Sequence, residues 1–348
     1  MRDRFYWLAT TIIVLYVLYI GKVVIFPLIL STILAVMFNR PIRWLQKALR
    51  WHAVAFLVFC LILVSIMGFG FYLFGEEVSN LFSEIDSANY SWKKFETRLE
   101  QIFKSVGIWD GEWQNTLANQ LNEIASDLSS FLGSMISSGT NFVIGVILTV
   151  VFTFFISMYY ESVKGLLNAE LEKPERKMLR IVTDELPNMI RNYFKGLGIV
   201  MIILAVANSL LFWIAGLDYP WVWGVLVGAL TIIPYIGTTI ALLLPLSYSF
   251  LTAPSFTQPI VILLGFAVIQ QIEGNLLTPK IVGEHVNLNA FTALICTIIG
   301  GLFWGIAGAV IAIPTAGALR LVLTRWEGME VIAKLMGEEV HDYGDDRD

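Results

Sequence analysis

Residues 260–300 read IVILLGFAVIQQIEGNLLTPKIVGEHVNLNAFTALICTIIG. An apolar run ends at Ile272, a polar island containing a proline follows at Glu273–Gly283, and a second apolar run begins near Phe291. Hydrocarbon offers no water to polar groups, so polar groups at membrane depth must face protein or a water-filled path. The island is therefore the first candidate for a functional site.

The composition indicates a membrane protein. Of 348 residues, 57% are hydrophobic and 15% are charged, whereas soluble domains carry about 25% charged residues. Mean hydropathy is +0.71, and the long uncharged runs predict an all-α polytopic membrane protein. A net charge of −5 without a long basic block argues against a nucleic-acid partner. Arg2 and Arg4 precede an apolar run that has no small-residue cleavage site, so no cleavable signal peptide is expected.

About eight membrane segments are predicted. As one helix, Phe5–Phe38 would measure roughly 50 Å against about 30 Å of hydrocarbon, so a break at Gly21-Lys22 predicts a hairpin of two short spans. The further spans are Ala53–Phe74, Asn141–Tyr160, Gly196–Gly216, Trp221–Leu251, Ile260–Ile272 and Phe291–Leu323.

Charge predicts the orientation. The loop Asn39–His52 has several basic residues and no acid, and both this loop and the N-terminus are expected in the cytoplasm by the positive-inside rule. Arg320, Arg325 and Lys334 predict a cytoplasmic C-terminus as well.

The chain divides into six predicted regions. They are the N-terminal membrane helices (1–75), an outer insertion (76–139), the fourth span (140–160), a cytoplasmic connector (161–195), a transport core (196–325) and a cytoplasmic acidic tail (326–348). Heptad-like spacing predicts two amphipathic helices in the insertion, with a turn at Trp109–Glu112. The connector is expected to be amphipathic and kinked at Pro187, either as a charged linker or as a helix that moves with the core.

Two core segments carry a similar pattern. Trp223-Gly224, Gly228-Ala229, Pro234 and Gly237 in the first match Trp304-Gly305, Gly308-Ala309, Pro314 and Gly317 in the second. Corresponding broken segments are typical of transporter binding sites, although glycine and proline also serve ordinary membrane helix packing, which leaves a chance match open. Each segment is either one crossing or a re-entrant hairpin, and this choice decides on which side of the membrane the island lies.

The motifs resemble a known family. The run GNLLTPKIVGEHVNLN, the later run GGLFWGIAGAVIAIPTAGALRLVL and the upstream run IIPYIGTTIALLLP are similar to the signature of the autoinducer-2 exporter (AI-2E) family of bacterial permeases. The resemblance implies a homo-oligomeric inner-membrane permease with eight spans. It links one branch to autoinducer-2 export and others to sodium–proton antiport. The chain departs from the family pattern at Thr238, Glu284 and Asn289-Ala290, and these departures bear on the substrate.

The island supplies the candidate binding residues. We expect a small polar solute or an ion to bind Glu273, Gln270, Gln271 and Asn275, with Glu273 as a candidate proton carrier; the alternative is a solvated helix end. Lys280 is expected to pair with a nearby acid or to reach toward headgroups, and Asn208 to bond across helices. The candidate hinges or helix breaks are Pro234, Gly237, Pro279, Gly283, Pro314 and Gly317.

The sequence predicts no enzyme, cofactor or metal site. It has no phosphate-binding loop, and its histidines (His52, His285 and His341) are widely separated. The leading hypothesis is a secondary transporter that exports a small polar solute or signal molecule across the inner membrane. The alternatives are a sodium–proton antiporter and an oligomeric channel or membrane scaffold.

Overall fold

The computed structural model describes residues 20–87, 139–170, 181–253, 255–283, 286–326 and 328–338, together with residues 10, 13 and 16–18. These ranges contain helices and connecting turns but no strand. The helices are α1 (Lys22–Leu49), α2 (His52–Ser87), α3 (Gly139–Glu170), α4 (Leu186–Ile214), α5 (Pro220–Leu230), α6 (Ile236–Thr252), α7 (Thr257–Ile272), α8 (Ala290–Leu323) and α9 (Glu330–Met336). Most of the predicted outer insertion, including its turn, lies outside the described residues.

Six helices are long and apolar enough to cross a membrane. They cover Lys22–Leu49, His52–Glu77, Val143–Leu166, Thr183–Ile214, Thr257–Gly283 and Ala290–Leu323, and α5 and α6 are shorter apolar helices. Large apolar side chains remain bare on their outer faces; Leu57 and Leu61 of α2 are 62% and 64% exposed. Such faces suit hydrocarbon, and the prediction of an all-α polytopic membrane protein is confirmed.

The N-terminal region differs from the expected hairpin. The Gly21 N–H donates to the Val17 carbonyl and the Ile25 N–H donates to the Gly21 carbonyl, both at 2.8 Å, so helical bonding continues through Gly21. Pro27 is buried inside α1, where membrane helices tolerate proline because neighbouring groups satisfy the freed backbone. The described chain therefore does not reverse direction at Gly21-Lys22.

Polar contacts join α1 and the start of α2 to α3 at one end of the bundle. Arg43 of α1 forms an ion pair with Glu161 of α3, and the His52 Nε2 atom lies 2.9 Å from the Ser157 hydroxyl oxygen. Since Lys47 and Arg50 lie at the same end of α1, we call this level the basic end.

Helix α4 starts near the basic end and contains both the end of the predicted connector and the predicted span Gly196–Gly216. Lys164 of α3 donates to Asp184 at 2.6 Å, just before α4 begins. Pro187 lies in the first turn of α4, directly after a wide helical turn at Ile181–Glu185. Since α4 runs without interruption from Leu186 to Ile214, the end of the predicted connector and the predicted Gly196 span form one helix. The start of the connector, residues 161–170, belongs to α3.

Helices α5 and α6 form a hairpin, the first hairpin. The rings of Trp223 and Tyr248 lie 5.4 Å apart across it. The Gln258 Nε2 atom donates to the Gly216 carbonyl at 2.6 Å, which places the two ends of the hairpin at one level. With 11 residues, α5 rises only about 16 Å, roughly half of the hydrocarbon thickness.

The tip of the first hairpin, residues 231–235, is a tight turn. Tyr235 adopts a positive φ of 62°, and Pro234 precedes it. At Gly237 an added Cβ atom would lie 1.9 Å from the Leu230 carbonyl oxygen. Only glycine allows α6 to begin this close to the end of α5.

Helix α8 has the length and composition of a membrane span, but it forms a second hairpin. Trp304 and Gly305 have non-helical backbone angles, and Gly305 has φ 63° and ψ −149°, a conformation essentially limited to glycine. A Cβ atom on Gly308 would lie 2.0 Å from the Gly300 carbonyl oxygen. Residues eight positions apart in a continuous helix are separated by about 12 Å along the axis, so the chain reverses direction between Gly300 and Gly308.

The two hairpins open toward opposite ends of the bundle. Chain order places Gly216 and Gln258, beside the first hairpin, at the end of α4 remote from the basic end. The second hairpin begins after Asn289, whose N–H donates to the Met336 carbonyl at 3.0 Å. It ends before Arg325, which lies 4.0 Å from Glu185 near the start of α4. This geometry favours the re-entrant alternative for both segments and puts the island toward the basic end.

The matched motifs occupy different places in the two hairpins. Trp223-Gly224 lies in the middle of α5, whereas Trp304-Gly305 forms the turn of the second hairpin. Both segments are broken, as the sequence predicts, but the motif match does not correspond to a structural equivalence.

Candidate functional site

A cavity of about 380 Å³ lies beside the tip of the first hairpin. We call it the central cavity. Helix α4, the hairpin tip, the end of α7 and the second hairpin each contribute to its walls. Most of the lining is apolar, including Leu197, Val200, Ile232, Val282 and Ile313.

The polar island continues α7 as two wide helical turns, Glu273–Leu277 and Pro279–Gly283. The Thr278 N–H donates to the Glu273 carbonyl five residues earlier, which is one residue farther than in an α-helix. Such π turns are frequent at functional sites. The predicted span Ile260–Ile272 is therefore part of a longer helical run, Thr257–Gly283.

Two of the predicted binding residues, Gln270 and Glu273, line the central cavity. The half-buried Glu273 carboxylate accepts a hydrogen bond from the Thr278 hydroxyl. The Gln270 Nε2 atom is buried and has no hydrogen-bond partner among the residues that the structure describes. A buried amide donor without a partner carries a desolvation cost of about 1–3 kcal/mol, and a bound solute that accepted its hydrogen bond would remove that cost.

The other predicted binding residues lie elsewhere. Gln271, Asn275 and Lys280 are exposed, and the Asn275 Nδ2 atom donates to the Gln271 Oε1 atom at 2.8 Å. Asn208 is fully buried in α4, where its Nδ2 atom donates at 2.8 Å to the Leu204 carbonyl of the same helix. This bond lies within one helix, whereas a bond across helices was expected.

Four of the six candidate hinges lie at or near the central cavity, and the other two, Pro314 and Gly317, lie in the second hairpin. Pro234 and Gly283 line the central cavity, Gly237 follows the hairpin tip, and Pro279 begins the second wide turn. Pro314 is buried inside the returning half of the second hairpin.

Gly317 lies in that same returning half and packs against Val286. The break in this segment is at Trp304-Gly305, ten residues before Pro314. A buried proline can remain within a membrane helix, whereas the positive φ of Gly305 requires the chain to depart from helical geometry.

Tyr193 and Thr278 also line the central cavity, and neither was predicted. Tyr193 is 3% exposed and precedes Leu197 and Val200 on one face of α4. This spacing of four and then three residues is the signal that could have identified the wall. It was missed because Tyr193 was assigned to the cytoplasmic connector.

The central cavity lies on the basic-end side of the hairpin tip. Helix α5 reaches about 16 Å inward from the opposite end, whereas Glu273 lies about 24 Å along α7 from Thr257. Among the residues that the structure describes, one carboxylate, one amide and several hydroxyls face apolar walls, an arrangement typical of sites for small molecules. The cavity can therefore hold a small solute that carries a few hydrogen-bonding groups.

Comparison with known proteins identifies a family profile and several similar proteins. The family profile described as AI-2E family transporter matches residues 8–328. YrrI of Bacillus subtilis is 31% identical over 149 residues, which is 42% of this chain and 39% of YrrI. The AI-2 transport protein TqsA of Escherichia coli K12 is 28% identical over 139 residues, 39% of this chain and 40% of TqsA.

A longer match includes most of the helices. The protein sll0063 of Synechocystis is 25% identical over 311 residues, which is 85% of this chain and 76% of that protein. The matches to YrrI and TqsA each span about two fifths of the relative's length.

Proposed function

This chain belongs to the AI-2E transporter family, and from that premise we propose that it is a secondary transporter that exports a small polar solute across the bacterial inner membrane. The observation that carries the proposal is the central cavity, where Glu273 and Gln270 lie beside the tip of the first hairpin. Broken membrane segments beside a binding site are typical of secondary transporters.

The position of the cavity supports loading from the basic end. Because basic residues are enriched on the cytoplasmic side of membrane proteins, we place the basic end and the C-terminus in the cytoplasm. The tip of the first hairpin then separates the cavity from the outside. We propose that movement of this tip relative to α7 opens the cavity outward and completes export.

Autoinducer-2 is the first solute to test. The similar protein TqsA is named an AI-2 transport protein, and autoinducer-2 is small and rich in hydroxyl groups. Its hydroxyls would accept a hydrogen bond from the Gln270 amide and donate to the Glu273 carboxylate. A cavity of about 380 Å³ lies within the range of ligand sites in proteins, about 300–1,000 Å³.

Sodium–proton antiport is a second candidate, and one observation favours it. Glu273 is the only carboxylate among the described residues that line the central cavity. A carboxylate at membrane depth can hold either a proton or a metal cation and release one as it binds the other. Antiport through this cavity would use Glu273 as the shared site.

Flux into sealed proteoliposomes tests both candidates. Purified protein is reconstituted, internal pH is followed under an imposed sodium gradient, and autoinducer-2 uptake is then followed without sodium. The export proposal predicts saturable autoinducer-2 flux above that of protein-free vesicles. Proton movement tied to sodium, with no autoinducer-2 flux, would contradict autoinducer-2 export and support antiport. Silence in both assays would contradict autoinducer-2 export and sodium–proton antiport, and a screen of other small polar solutes would follow.

A further inference from the structure

A second cavity, of about 490 Å³, lies at the basic end, and we call it the basic cavity. It is separate from the central cavity, and its walls come from α1, the start of α2 and α3. Its lining is mainly polar and charged and consists of Arg43, Gln46, Lys47, Arg50, His52, Ser157, Met158 and Glu161.

The charge of this cavity is incompletely neutralised. Arg43 pairs with Glu161 and donates to the Asn39 Oδ1 atom at 2.9 Å. In the part of the chain that the structure describes, no acidic side chain pairs with Lys47 or Arg50, and both are exposed. Two positive charges are therefore available to an anion.

His52 supports the wall of the basic cavity. Its Nδ1 atom lies 3.3 Å from the Gln46 Oε1 atom, and its Nε2 atom lies 2.9 Å from the Ser157 hydroxyl oxygen. Both ring nitrogens are thus engaged with protein groups. The ring connects α1, α2 and α3 and leaves anion binding to Lys47 and Arg50.

Aromatic and apolar groups adjoin these cations. Trp44 and Trp51 are both 73% exposed, and tryptophan is enriched where membrane helices meet the headgroups. Beyond Trp51, the exposed Leu57 and Leu61 follow α2 toward the hydrocarbon. The cations therefore lie at headgroup level, and an apolar surface leads away from them.

We propose that the basic cavity binds the phosphate headgroup of an anionic phospholipid, with the acyl chains lying along α2. Lys47 and Arg50 contact the phosphate, and Trp44 and Trp51 flank the glycerol region. Charge complementarity alone would also suit free phosphate. The exposed tryptophans and leucines favour a lipid, because free phosphate has no apolar part that could contact these side chains.

Titration of the purified full-length protein in a neutral detergent tests this proposal. The probes are short-chain phosphatidylglycerol, short-chain phosphatidylcholine and inorganic phosphate, each measured by calorimetry. We expect phosphatidylglycerol to bind, and its affinity to fall as salt screens the headgroup. We expect phosphatidylcholine and inorganic phosphate to bind at least tenfold more weakly.

A matched pair of variants locates the site. Each basic residue near a membrane surface contributes about fivefold to the binding of anionic lipid, so Lys47→Gln/Arg50→Gln should weaken phosphatidylglycerol binding about 25-fold. The control Lys195→Gln/Arg325→Gln removes the same charge elsewhere on the chain and should leave binding unchanged. Equal loss in both variants, equal binding of the two lipids, or inorganic phosphate binding as tightly as phosphatidylglycerol would overturn the proposal.

Discussion

Replacing Glu273 by glutamine is expected to slow solute flux in proteoliposomes about 30-fold or more. Glutamine has the same shape, and its Oε1 atom can still accept the Thr278 hydroxyl bond that Glu273 accepts. The variant therefore removes charge and leaves packing unchanged. A hydrogen bond to a charged group contributes about 1.5–3 kcal/mol, and 2 kcal/mol corresponds to about 30-fold.

The control variant is Asp218→Asn. Asp218 is exposed in the turn between α4 and α5, so this change also removes one carboxylate but leaves the central cavity intact. We expect wild-type flux from it. If Glu273→Gln also transported at the wild-type rate, with either solute and across a range of pH, Glu273 would have no part in transport.

A disulfide between cysteines placed at Gly301 and Ala309 is expected to form almost completely. A Cβ atom on Gly301 would lie 4.0 Å from the Ala309 Cβ atom, within the range of about 3.5–4.5 Å found in disulfides. If α8 were one straight helix, these positions would be about 12 Å apart along the axis and could not be bridged. The bond therefore distinguishes a hairpin from a single crossing.

The experiment requires a background without other thiols, so Cys60 and Cys296 are changed to serine. After mild oxidation, remaining thiols are counted by maleimide labelling of the denatured chain. The control pair, cysteines at Val310 and Ala318, has the same spacing in the returning half of the second hairpin, and it should stay reduced. Equal oxidation of both pairs, or of neither, would contradict the hairpin.

The fold class was readable from the sequence because the bilayer acts on local composition. A long run without charge must be helical and must span or enter the hydrocarbon, and the segments around Ala53–Phe74 and Asn141–Tyr160 needed no further information. The helical continuation of α7 beyond Ile272 into the island was harder to predict. Its polar residues suggested that the span ends at Ile272, whereas π turns continue the helix to Gly283.

The positions of the breaks depend on contacts between distant residues. Gly305, Pro314 and Gly21 are all residue types that can break a helix. Among them, only Gly305 has a positive φ. The turn at Gly305 accompanies the contact between Gly300 and Gly308, and nothing in the local sequence indicates that these two backbones meet. Pro314 remains in a helix because tertiary packing overrides local preference.

The candidate site was predicted in part for a similar reason. Gln270, Gln271, Glu273 and Asn275 share one short segment, and helical phase decides which of them face the central cavity. Gln270 and Glu273 are three residues apart and lie on one face, whereas Gln271 and Asn275 occupy another. The spacing of Tyr193, Leu197 and Val200 indicates one face of α4, but the packing of α4 against distant elements decides which cavity that face lines.

Thiol labelling within the central cavity is the most direct test of the claim that solute passes through it. Gln270→Cys is prepared with Cys60 and Cys296 changed to serine, reconstituted, and treated with a small charged methanethiosulfonate reagent. We predict that labelling stops flux and that the transported solute, autoinducer-2 or sodium, slows the labelling as it occupies the cavity. Full flux from the labelled protein, together with a labelling rate that the solute leaves unchanged, would contradict the account.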